Sequence, residues 1–305
     1  MPTGGLFFAS AFVLILLLSG VITALIEAPG KRAQAQSLSA AQAASESAAL
    51  EEALKDQVLA GDQVGPVRQE TWTLPEITAE RVCLPENGRV DMSYFDDALF
   101  IGDSLTQGFM TYTTNGFENA SFAAYIGAGP KTFIEGTVTN HDGQVVRPID
   151  EILAANAKKV YILLGTNSME SSTDEAFLKY YGDFLDFLLP QLPSGTTYYL
   201  QSIPPVTAEK MADDEKFTVE RIRELNQQIA RMAYERGLHY LDLYSALADE
   251  SGALKAEYAA GGDGIHLNAD GYGAWREYLI THTAYSPDSP YLPGSPYWTA
   301  SAVSN

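Results

Sequence analysis

The chain has a single cysteine, Cys83, among 305 residues. That excludes an intrachain disulfide and any metal site built on several thiolates. Nothing near Cys83 suggests an activated thiolate, so it reads as a small packing residue. Basic residues are also scarce: 19 Lys and Arg stand against 39 Asp and Glu, a formal net charge of −20. Phosphate backbones are held by clustered Lys and Arg, so nucleic acid is not an expected partner. An acidic surplus suits neutral or cationic material, or serves solubility alone. There are only four histidines, and no internal repeat is visible. Against these absences stand 46% hydrophobic residues, with 17 Tyr and 13 Phe. That is ample for a packed core and argues against wholesale disorder.

Long hydrophobic runs are limited to one. Leu6 to Ile26 carries no charged residue and is long enough to cross a bilayer as a helix of ~30 Å. An uncleaved membrane anchor over residues 1–30 is the expectation. The alternative is a signal peptide cut near Ala33-Gln34-Ala35, giving a secreted protein. No Lys or Arg precedes the run and Lys31 and Arg32 follow it, which by the positive-inside rule alone places the body in the cytoplasm. The order of anchor, stalk and body is instead that of a tethered extracytoplasmic protein, and that location is the expectation. Residues 31–90 form the stalk and linker: Ala, Gln, Ser and Glu first, then extended chain marked by Pro66, Pro75 and Pro85. Residues 91–284 form the folded domain, and 285–305, rich in Pro, Ser and Tyr, an irregular tail.

Within the domain, strand and helix signals alternate. Apolar runs at Ala98–Gly102, Ala120–Ile126, Lys159–Leu164, Thr197–Ser202 and His239–Leu243 read as strands. Ile149–Ala157, Thr173–Leu189, Val219–Arg236 and Gly271–Thr281 read as helices, and Asp142-Gly143 marks a small hairpin. Five strands joined by helices predict a parallel sheet with right-handed crossovers.

The chemistry concentrates in loops that follow strands. Gly102-Asp103-Ser104 breaks the first apolar run and opens a helix. A serine there sits at the carboxyl end of a strand and at a helix N-terminus, where ligand crevices and anion-favouring N–H groups coincide. Taken alone, the tripeptide reads first as an ordinary strand-to-helix turn with Ser104 as its N-cap and Asp103 as a turn residue at the helix N-terminus. Asp263-Gly264-Ile265-His266 changes the odds. An acid three residues ahead of a histidine can hold one ring nitrogen while the other faces a serine, the arrangement acyl transfer needs. Asn167, at a strand end, supplies a neutral donor suited to an oxyanion. His141, His239 and His282 lack such an acid and read as structural or surface residues.

Gly102-Asp103-Ser104-Leu105, Gly165-Thr166-Asn167 and Asp263-Gly264-Ile265-His266 resemble, in order and spacing, blocks I, III and V of the SGNH/GDSL hydrolases. The resemblance spans roughly Ala98 to Ile280 and takes in Pro204-Pro205 and Asn226. It implies an α/β fold, a three-layer α/β/α sandwich on a flavodoxin-like five-stranded parallel sheet. It also implies hydrolysis of carboxylic esters without a cofactor or metal. By the same resemblance Ser104 is the nucleophile, His266 the base and Asp263 its orienting acid. Ser104, Asn167 and a block II glycine form the oxyanion hole. Gly127 matches that glycine best and Gly129 is its rival; Ser168 stands where the family often has aspartate.

The expected function is a membrane-tethered serine esterase removing O-acetyl or other short acyl groups from cell-surface glycans or similar esters. A lysophospholipase or thioesterase, an O-acyltransferase with the same triad, and a surface binding protein retaining the fold are the alternatives. Tyr291, Tyr297 and Trp298 could stack on sugar rings, or simply belong to a tail that covers the domain.

Overall fold

The computed structural model describes residues 76–113 and 116–298. The expected anchor, and the stalk as far as residue 75, lie outside them. Among the described residues no helix is long and apolar enough to cross a membrane.

Five parallel strands form the central sheet: β1 (Ala98–Gly102), β2 (Ser121–Ala124), β3 (Lys159–Leu163), β4 (Thr197–Gln201) and β5 (His239–Leu241), in spatial order β2-β1-β3-β4-β5. This is the flavodoxin-like order, whose crossovers change direction between β1 and β3. The crevice for ligands therefore opens at the carboxyl ends of those two strands. Both faces are covered, which is why β1 is buried at every position and reads as a continuous apolar run. One face carries Leu99, Ile101, Val160, Ile162 and Leu200 against α5 (Asp174–Leu188) and α7 (Val219–Glu235). The other carries Phe100, Tyr161, Leu163, Tyr199 and Leu241 against α1 (Ser104–Tyr112) and α9 (Ala269–Thr281).

An aromatic rung crosses the sheet: Phe122, Phe100, Tyr161, Tyr199 and His239 are register partners, with successive ring centroids 5.1, 4.9, 4.4 and 5.4 Å apart. Cross-strand pairs of this kind pin register, because a one-residue slip would turn every ring to the opposite face. The same register sets Gly102 beside Leu163, so the chain leaves β1 and β3 at one level.

Several elements are shorter than the apolar runs suggest. β2 stops at Ala124, because Tyr125 donates to the Gly102 carbonyl and then accepts from Ala128 in a turn. β5 stops at Leu241, where the Asp242 side chain caps α8 (Leu243–Leu247). Five short helices have no separate signal in the apolar pattern: Ala79–Val82, α2 (Pro130–Ile134), α4 (Thr166–Ser171), α6 (Ala208–Asp213) and α8. The chain ahead of residue 91 also packs on the domain: the Gln227 side chain bridges Ile77 and Ala79, and Leu84 donates to Tyr240. The tail is held in turn by an antiparallel bridge between Val90 and Tyr291.

Phe100, the second ring of the rung, is fully buried between Phe122 and Tyr161. Phe100→Ala is expected to lower unfolding free energy by about 3–5 kcal/mol, read as a fall in the urea midpoint at unchanged slope.

Candidate active site

Gly102 ends β1 where α1 must pass close to the sheet. A Cβ there would lie 2.8 Å from the Leu163 carbonyl oxygen and against the Thr106 side chain. Asp103 follows in extended backbone and caps α1, its Oδ1 accepting from the Leu105 N–H at 2.9 Å. Ser104 is the first residue of the helix, so its own N–H is one of the donors that have no partner inside the helix. The helix dipole favours negative charge at that point.

The histidine arrives on the loop that precedes α9. His266 Nε2 lies 2.9 Å from Ser104 Oγ, across 162 positions of sequence, and His266 Nδ1 lies 2.5 Å from Asp263 Oδ2. The other carboxylate oxygen, Oδ1, accepts from the N–H groups of Ile265 at 2.9 Å and His266 at 3.1 Å. Burial pushes the Asp263 carboxyl up, but those two N–H groups and the imidazole outweigh it and hold the group below the usual carboxylate range. An ionised Asp263 makes Nδ1 the donor and leaves Nε2 to accept from the serine hydroxyl.

Three contacts fix this loop. Ala260 donates to the His266 carbonyl at 2.9 Å, Thr207 donates to the Gly264 carbonyl at 2.8 Å, and Asn268 Nδ2 donates to the Glu257 and Ala259 carbonyls. Gly264 has φ +71°, and a Cβ there would come within 2.6 Å of Thr207 Oγ1. Any side chain at 264 strains the turn and pushes the loop away from α6.

Asn167 sits in the first turn of α4, immediately beyond the end of β3. Its Nδ2 donates to Asp103 Oδ2 at 2.9 Å and more distantly to the Ala128 carbonyl at 3.3 Å. The aspartate read from sequence as a turn residue therefore also orients the asparagine. Its carboxylate is fully buried, which pushes it up to about 6; the Leu105 N–H, His266 and Asn167 offset part of that rise. No signal in the sequence could reveal this contact, because it depends on β1 and β3 being neighbours. Gly127 and Gly129 both lie in the loop after β2. Gly129 donates to Thr132 Oγ1 at 3.2 Å, whereas the Gly127 N–H makes no hydrogen bond among the described residues and its φ is +73°. The remaining histidines stand apart. His141 pairs with Asp142 on the surface, His239 ends the aromatic rung, and His282 stacks on Tyr278. Burial pushes both His239 and His282 down. Among the described residues no group of three or more His, Cys, Asp or Glu is placed to hold a metal ion.

The family model for the GDSL-like lipase/acylhydrolase family matches residues 100–274. Among solved structures, a GDSL-like lipase of Bacteroides thetaiotaomicron is 15% identical, with 60% of this chain and 86% of that one covered at a TM-score of 0.47. The lipase/acylhydrolase of Enterococcus faecalis is 16% identical, with 60% and 93% covered at 0.45. An acetylxylan esterase of Geobacillus stearothermophilus, solved as a catalytic mutant, is 11% identical, with 62% and 94% covered at 0.45. No curated protein matches the sequence.

The raised Asp103 carboxyl has a direct consequence for stability. The folded protein binds this proton more tightly than the unfolded chain, so the contribution is fully present below about pH 4 and is lost as pH rises through about 6. Asp103→Asn removes the titration. Its stability relative to the parent is expected to improve by up to about 3 kcal/mol between pH 4 and pH 8, measured by urea unfolding at each pH.

Proposed function

The chain belongs to the GDSL-like lipase/acylhydrolase family, and from that premise we propose that it is a serine esterase acting through Ser104, His266 and Asp263. The observation that carries this reading is the relay from Ser104 Oγ to His266 Nε2 at 2.9 Å and from Nδ1 to Asp263 at 2.5 Å. Ser104 Oγ adds to the ester carbonyl carbon as its proton passes to Nε2, and the Asp263 carboxylate stabilises the imidazolium that forms. The new oxyanion is held by the N–H groups of Ser104 and Gly127 and by Asn167 Nδ2. The unspent N–H of Gly127 supports that glycine over Gly129. At Asn167, a substrate oxygen has to displace only the long contact to Ala128. Collapse expels the alcohol with the proton from His266, and water then cleaves the acyl-enzyme by the same steps in reverse order.

Two features support a small acyl group on a hydrophilic alcohol. A cavity of about 610 Å³ opens beside Asp263 and Gly264, with Thr207, Glu209, Lys210, Asp213 and Asp249 among its walls. The polar side chains suit the hydroxyls of an alcohol, and the apolar part of the lining is Leu254 with the small residues Ala208, Ala253, Ala256 and Ala259. Ile126, next to Gly127, is 80% exposed, enough apolar surface to meet an acetyl or similar group. O-acyl groups on glycans fit both features, and a tethered extracytoplasmic body fits such a substrate.

Hydrolysis of p-nitrophenyl acetate by the full chain tests the mechanism. Ser104→Ala and His266→Ala are each expected to lower kcat by at least ~10³-fold, and Asn167→Ala by ~10²–10³-fold. Activity persisting in Ser104→Ala would overturn the mechanism. Across p-nitrophenyl esters, acetate is expected to turn over faster than octanoate; the reverse order would sink the glycan-ester assignment while leaving the triad standing.

A further inference from the structure

A second cavity, of about 390 Å³, lies at the end of the sheet opposite Ser104. It forms where strands begin: Asp97 precedes β1, Lys159 opens β3 and Thr197 opens β4, and the stretch from Ala284 to Pro290 supplies the facing wall. The five residues of β1 separate it from the triad, a distance on the order of 16 Å.

Its lining is balanced in charge although the protein is not. Lys158 and Lys159 stand with Asp97 and Asp288, two charges of each sign, in a chain of net −20. Lys159 is paired with Asp97 and lies 4.5 Å over the Tyr94 ring; Lys158 reaches the other Asp97 oxygen at 3.8 Å. Hydroxyls of Ser286 and Ser289 add donors and acceptors. Tyr285 presents a ring that is 61% exposed at the same wall. That ring is backed by Tyr297 at 4.8 Å and Tyr291 at 6.4 Å. The segment is pinned on both sides: Ala284 donates to Tyr199 Oη at 3.1 Å, and Asp91 donates to the Pro290 carbonyl at 2.8 Å. An exposed aromatic face on a fixed segment binds at little cost in conformational entropy.

These features select the chemistry of an occupant. An anion would meet Asp97 and Asp288, and a cation would meet the two lysines. A wholly apolar molecule would strip water from both pairs without replacing their hydrogen bonds. A neutral molecule that donates and accepts through many hydroxyls, and shows a C–H face to an aromatic ring, satisfies all of the lining at once. We propose that this groove is a non-catalytic saccharide-binding site, with an uncharged sugar ring seated on Tyr285 and its hydroxyls bonded to Asp288, Lys158 and Ser286. Binding there holds the protein on a glycan while leaving the carboxyl end of the sheet free. The site shares no residue with the triad, so it does not depend on the esterase reading.

Isothermal titration of the full chain with β-1,4-linked hexamers of glucose, xylose and N-acetylglucosamine tests the site. At least one hexamer is expected to bind the parent and Ser104→Ala equally, and Tyr285→Ala or Lys158→Ala to weaken it by about tenfold or more. Both of those side chains are largely exposed, and circular dichroism checks that the variants stay folded. The proposal is overturned if none of the three hexamers binds. It is also overturned if binding survives Tyr285→Ala unchanged, or is lost in Ser104→Ala, which would move the saccharide to the triad.

Discussion

The buried carboxylate of Asp103 is the joint on which the candidate site turns. One oxygen caps α1 and so sets where Ser104 begins the helix; the other holds the amide of Asn167 on the neighbouring loop. Ser104 and the Asn167 amide are thereby referred to one rigid group rather than to two independent loops. Preorganisation of this kind is what an oxyanion site requires, since donors that must reorient during reaction stabilise the transition state less. Burial makes the joint costly, because an ionised carboxylate without water relies entirely on its few hydrogen bonds. Stability is given up at the point where geometry matters most, a common trade in catalytic sites.

That joint exists only because β1 and β3 are neighbours in register. The aromatic rung sets Phe100 opposite Tyr161, and two residues later Gly102 opposite Leu163. A slip of one residue would carry Asp103 about 3.3 Å along the strand and break its bond to Asn167. The rung and the candidate-site edge are thus one device: bulky rings in mid-sheet control the level at which the Asp103 and Asn167 loops emerge. The histidine loop is placed separately, by Thr207 on Gly264 and by Asn268 on the carbonyls that precede it.

Much of this was legible in sequence, and the illegible parts share a cause. β1 and β3 announced themselves as unbroken apolar runs because both faces of the sheet are covered. The cluster of Ser104, His266 and Asp263 was legible because its pattern is rare: only His266 among four histidines has an acid three positions ahead. The contact between Asp103 and Asn167 was not, since it crosses a strand pairing that local patterns do not encode. The choice between Gly127 and Gly129 turns on where an N–H is spent, and the Thr132 hydroxyl that occupies the Gly129 donor looks like any other threonine. Short helices escaped for a related reason. Thr166–Ser171 and Leu243–Leu247 begin directly after strands, so their few apolar residues merged with the runs before them.

The two ends of the sheet put the same topology to different uses. At the carboxyl ends, parallel strands deliver helix N-termini and short loops, and the free N–H groups there favour developing negative charge. At the amino ends, Asp97 ahead of β1 and Lys159 at the start of β3 pair with each other. A lining of two lysines and two aspartates favours neither sign of charge and suits a neutral, hydrogen-bonding molecule. The tail completes it by laying Tyr285 across ends that would otherwise be bare. The two ends therefore differ in character because of the direction in which the strands run.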